Sequence, residues 1–119
     1  MRKTVEREGV SQNLWLMVGA IDRPRTFGRE AAIRKCHRAA ERWGYQWSKV
    51  VSKDRHRDIV EARQIMMKHL RDSKWTYSEI GQFLGGRDHA TALYGSRQAE
   101  HLIDYDRAFR ARYYEFQNA

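Results

Sequence analysis

Apolar residues recur three and four positions apart along most of the chain. Alternating apolar and polar runs are scarce, so the pattern predicts an all-α fold. The longest apolar run, Leu14 to Ile21, predicts a first helix over about residues 11–21. Asp22-Arg23-Pro24-Arg25 is expected to break it. Ile33, Cys36, Ala40 and Trp43 form one face of a second helix over residues 29–43, closed by Gly44. Trp47, Val50 and Val51 fit a short helical turn, and Ile59, Ala62, Met66 and Leu70 mark the stripe of a longer helix. Thr76-Tyr77-Ser78-Glu79 reads as a capping box ahead of Ile80, Phe83 and Leu84. Gly85-Gly86 then makes a turn, and Asp88 stands at the N-cap of a helix reaching about residue 102. Helices over 77–84 and 88–102, joined by a glycine turn, make a helix-turn-helix. Tyr105 to Phe116 is helical as well, either extending the last helix or turning back from it. The whole reads as a compact helical bundle.

The length of 119 residues suits one domain, and no stretch approaches a membrane span. A signal peptide is the alternative for Leu14 to Ile21. Glu6 and Glu8 fall in what would be its basic region and no small-x-small cleavage site follows, so a buried helix is expected. The single cysteine, Cys36, cannot form an intramolecular disulfide and lies on the apolar stripe, which fits core packing in a reducing cytoplasm. Net charge is +8, a balance that points to an acidic partner. Lys and Arg outnumber Asp and Glu by nine to four over residues 1–38 and nine to five over 39–75, but stand at five to six over 76–119. The excess precedes the final helix of the motif. Flanking segments would grip phosphates while that helix reads bases.

Candidate chemistry narrows the picture further. Asp88 and His89 are adjacent helix residues, pointing about 100° apart, with no serine or cysteine to complete a catalytic set. The five histidines show no ligand spacing, and one cysteine cannot build a zinc finger. No enzyme, metal or cofactor is expected. As base readers the same residues fit: a carboxylate accepts from the cytosine amino group, an imidazole donates or accepts, and the Ala90 methyl suits the thymine methyl. Asp88 is equally a plain N-cap, and the Thr91 hydroxyl is either satisfied by its own helix or turned to a phosphate.

Ser78-Glu79-Ile80-Gly81, the run Phe83-Leu84-Gly85-Gly86-Arg87-Asp88-His89, Thr91, Leu93 and Arg97 carry a further signal. Together with Ser52-Lys53, Arg55, Arg57 and Arg63-Gln64, this set resembles the signature of the C-terminal DNA-binding domain of the bacterial replication initiator DnaA, a Trp-repressor-like helix-turn-helix. The resemblance is strong over about residues 44–102 and faint over 30–43. It implies that Asp88, His89 and Ala90 face bases in the major groove and that Arg55 enters the minor groove. It also implies backbone or mixed contacts from Arg63, Gln64, Arg71, Tyr77, Ser78 and Thr91, which Lys53, Arg57 and Arg87 join. Arginine suits a narrow, negative minor groove, and Arg55 follows a basic segment expected to be flexible.

The departures are specific. Ala90 replaces a usual threonine, keeping a methyl and losing a hydroxyl. Asp54 replaces a usual basic residue, and Glu61-Ala62 replaces a basic residue and a proline. One residue is missing between Arg71 and Thr76, so a tighter turn is expected there. No G-x-x-x-x-G-K-[ST] loop occurs, so a stand-alone DNA-binding protein without the ATPase part is expected. The organisation expected is an N-terminal helical extension (1–29), the initiator-like domain (30–104) and a C-terminal helical extension (105–119). The function expected is sequence-preferring binding of double-stranded DNA in control of replication initiation or transcription, in the cytoplasm and at the nucleoid. The alternative is a protein-interaction module that binds the replication initiator or another replication factor, with DNA contact secondary.

Overall fold

The computed structural model describes residues 22–118. These form six helices: α1 (Asp22–Arg42), α2 (Trp47–Val50), α3 (Arg57–Asp72), α4 (Tyr77–Phe83), α5 (His89–Tyr105) and α6 (Arg107–Gln117). The helix expected over 11–21 lies outside the described residues. The chain divides into two units at Ile33, and the first is represented by the opening turns of α1 alone. Asp22–Arg25, expected as a break, is helical. Pro24 is the third residue of α1, and proline is tolerated in a first turn because the N–H groups there have no intrahelical acceptor. The expected boundary between residues 29 and 30 therefore falls inside α1.

The second unit follows the apolar pattern closely. Cys36, Ala39 and Ala40 are buried on the last turns of α1. Gly44, at φ +83°, ends that helix, and the Tyr45 N–H donates to the Ala40 carbonyl at 2.8 Å in a Schellman-type close. Ile59, Ala62, Met66 and Leu70 on α3 are all buried, with Ile65 and Met67 beside them. α3 is the spine of the unit and packs chiefly on α5. Gly95 makes that contact close, because a Cβ there would lie 2.2 Å from the Met67 sulfur.

Asp106 separates α5 from α6 and caps the latter, its side chain accepting from the Phe109 N–H. α6 thus turns back from α5 instead of prolonging it, and buries Phe109, Tyr113 and Phe116. Phe116 stacks on Trp43 at 6.0 Å and meets the His69 ring edge-on at 5.1 Å. Trp43 also carries the Arg112 guanidinium over its face at 4.5 Å. The residues expected as a C-terminal extension belong to the core of this unit.

Candidate nucleic-acid interface

Both caps read from the sequence are present. The Thr76 hydroxyl accepts from the Glu79 N–H at 3.1 Å while the Glu79 carboxylate accepts from the Thr76 N–H at 2.9 Å, so α4 opens on a closed capping box. Gly85 and Gly86 take φ of +102° and +78° and turn the chain. The Arg87 N–H donates back to the Gly81 carbonyl at 2.8 Å, and the Asp88 carboxylate caps α5 by accepting from the Thr91 N–H at 2.9 Å. That hydrogen bond is the main reason the Asp88 carboxyl is held below the usual carboxylate range. Asp88, His89, Ala90 and Thr91 are all exposed, so the first turn of α5 presents its side chains outward.

The loop between α2 and α3 lies against this turn. A Cβ on Gly85 would come within 2.2 Å of the Val51 carbonyl oxygen, and Arg87 donates to the Ser52 carbonyl at 2.6 Å. Lys53 and Arg55 project from the loop, exposed, and among the described residues neither is paired with a carboxylate. The loop, expected to be flexible, is held by several hydrogen bonds. The Ser52 hydroxyl donates to the Lys49 carbonyl at 2.6 Å and accepts from the Asp54 N–H at 3.2 Å. Asp54 accepts from the His56 N–H and ring Nδ1, each at 2.7 Å, and pairs with Lys49 at 2.8 Å. The Lys49 bond, with those from His56, holds the Asp54 carboxyl well below its usual range.

Three expected backbone contacts are placed differently. Arg63 is 5% exposed. Its Nε donates to the Val50 carbonyl at 2.6 Å, Nη1 to that of Asp54 at 2.7 Å and Nη2 to that of Ser52 at 2.9 Å. It holds the loop from within and is not placed to meet a phosphate. Burial and then the nearby Arg87 charge lower its pKa, but a guanidinium stays charged at neutral pH. Arg87 is half-buried, its guanidinium engaged by the Leu84 and Ser52 carbonyls. Arg57 is exposed but turned toward acids, 3.1 Å from Glu61 and 3.6 Å from Asp106.

The remaining expected residues line the helix-turn-helix and α3. Arg71 lies over the Tyr77 ring at 4.4 Å, with Nη1 donating to the Trp75 carbonyl at 2.9 Å, beside the start of α4. Ser78 is exposed, and Gln64 and Tyr77 are half-buried. The turn before α4 is made at Lys74, which takes φ +75° while the Trp75 N–H donates to the Leu70 carbonyl at 3.1 Å. Two exposed residues of α5 carry no contact assigned from the sequence, although Arg97 belongs to the signature. Tyr94, 66% exposed, and Arg97 stand four and seven positions beyond Ala90, hence on the same helix face. That spacing was the available signal.

The family described as bacterial dnaA protein helix-turn-helix matches residues 37–98, from the end of α1 through most of α5. The chain belongs to this family. Membership in the dnaA helix-turn-helix family implies DNA binding. The chain is 36% identical over 88 residues to the chromosomal replication initiator protein DnaA of Porphyromonas gingivalis, covering 70% of this chain and 18% of that protein. It is 33% identical over 72 residues to that of Bacteroides thetaiotaomicron, covering 60% and 15%. To that of Thermomicrobium roseum it is 38% identical over 76 residues, covering 63% and 16%. The chain spans less than a fifth of the length of these relatives. No solved structure matches it. Among the described residues, no helix is long and apolar enough to cross a membrane.

Proposed function

We propose that this chain binds double-stranded DNA with sequence preference, placing the start of α5 in the major groove. The observation that carries the reading is one exposed edge. Asp88, His89, Ala90 and Thr91 open α5 beside a loop that projects Lys53 and Arg55, which among the described residues have no acidic partner. A helix that reads the major groove does so with its N-terminal residues, and flanking cations fix its register on phosphates. Asp88, His89 and Ala90 face bases, Arg55 lies in the minor groove, and Lys53, Gln64, Arg71, Tyr77, Ser78 and Thr91 follow the backbone. Tyr94 and Arg97 extend this surface along α5. The process is control of replication initiation or of transcription at sites of the initiator type, at the nucleoid, with no catalytic step.

Selection of bound sequences from a random duplex pool tests this, followed by fluorescence-anisotropy titration of the enriched box and its single-base variants at fixed salt. An enriched motif is expected, and His89→Ala should lower box affinity about 10- to 100-fold while sparing scrambled duplex. If His89→Ala keeps the wild-type ratio of box to scrambled binding, α5 is not the reader. Protein interaction with the replication initiator then becomes the leading function.

A further inference from the structure

The Ser52 carbonyl oxygen accepts two guanidinium N–H groups from two different elements. Arg63 reaches it from α3 at 2.9 Å and Arg87 reaches it from the helix-turn-helix at 2.6 Å. Ser52 precedes Lys53 and Arg55 by one and three residues, and Arg87 precedes Asp88 and His89 by one and two. Three residues of chain span at most about 10 Å, so this contact limits where Arg55 can stand relative to the start of α5. The rest of the loop has little freedom. Arg63 holds the Val50 and Asp54 carbonyls, and Asp54 holds the His56 N–H and Lys49. On the other side Arg87 is fixed by its own turn, through its N–H to the Gly81 carbonyl and its Nη1 to that of Leu84.

We infer that Arg87 is a positioning residue. It locks the Arg55-bearing loop to the recognition helix, so that minor-groove and major-groove contacts are made in one fixed register. The inference rests on the DNA-reading function proposed above. It gives Arg87 a different task from the phosphate contact that its position and charge suggest. A planar guanidinium suits it, since Nη1 and Nη2 reach carbonyls of two separate segments at once. A lysine ammonium offers one point in place of that fork.

The test uses Arg87→Lys and Arg87→Met in the full chain, with two independent readouts. The first needs no DNA. Amide hydrogen exchange at Asp54 and His56 should rise at least as fast in Arg87→Met as in Arg87→Lys, while exchange in α3 stays at the wild-type rate. The second compares affinity for the selected box with A·T-rich and G·C-rich flanks. The ratio of the two should fall about threefold in Arg87→Lys, and the loss should not add to that of Arg55→Ala in a double-mutant cycle. A merely structural weakening would lower both affinities alike and leave the ratio intact. Equal loss on both flanks, with a salt slope reduced by about one, makes Arg87 a phosphate contact and overturns the inference. Unchanged loop exchange overturns it as well. If no duplex is bound with preference by the wild type, the DNA-reading function fails on its own, and the exchange experiment still decides whether Arg87 locks the loop.

Discussion

Arg55 and Arg57 lie two residues apart and meet opposite surroundings. Arg57 opens α3 at the seam with α6. There it pairs with Glu61 and Asp106, while Arg112 from α6 donates to the Asp58 carbonyl and approaches Glu61 at 3.5 Å. Lys68 continues the pattern with Asp72 at 2.9 Å and the Tyr113 ring at 5.9 Å. In the loop before α3, Arg55 and Lys53 face outward with no carboxylate partner among the described residues, and the acid among them, Asp54, is taken by Lys49 and His56. The two regions carry similar charge density along the chain. At the seam, cations and acids close a structural contact; at the loop, the acid organises the backbone and leaves the flanking cations open. Net charge therefore overstates the surface available to an acidic partner, and the distribution of carboxylates decides which part of it remains.

Substitutions in the two regions should separate stability from binding. Arg63→Met removes the buried guanidinium and strands the Val50 and Asp54 carbonyls, while Arg87 still reaches that of Ser52, so it should lower unfolding free energy by about 3 kcal/mol in urea denaturation. A loss under about 1 kcal/mol would mean that water satisfies those carbonyls and that the loop does not depend on Arg63. Arg55→Ala should leave the urea midpoint where it is and weaken the A·T-flanked box about tenfold, with a smaller loss on G·C flanks. Equal losses would count against minor-groove insertion. Arg57→Gln should change neither box affinity nor salt slope; a slope reduced by about one would show that Arg57 abandons Glu61 for a phosphate. The smallest change in stability is expected at Lys74. With φ at +75°, Lys74→Gly should raise stability by a few tenths of a kcal/mol, read from the same denaturation curves.

Much of the frame was legible because it is written in local signals. The α3 stripe, the Thr76–Glu79 box, the two turn glycines and the Asp88 cap are contacts within a few residues, and spacing alone reveals them. The extent of α1 was not legible, because Pro24 reads as a breaker unless its place in the first turn is known. The placement of Arg63 was not legible for a different reason. Its charge and its place in the family pattern say phosphate, but its partners are carbonyls 9 to 13 residues earlier, which no pattern of side chains records. Arg87 shares that difficulty, reaching 35 residues back to Ser52.

The Asp88 cap has a consequence for the entropy of association. A free surface carboxylate samples several rotamers, and ordering it in a complex opposes binding. Here the Thr91 N–H already fixes one oxygen, so that freedom is surrendered when the chain folds. The cap also favours the ionised form, which accepts hydrogen bonds and donates none. A ligand reaching the first turn of α5 thus meets a polar group whose direction and hydrogen-bonding sense are set in advance. The residue that begins the helix also prepares the surface the helix presents.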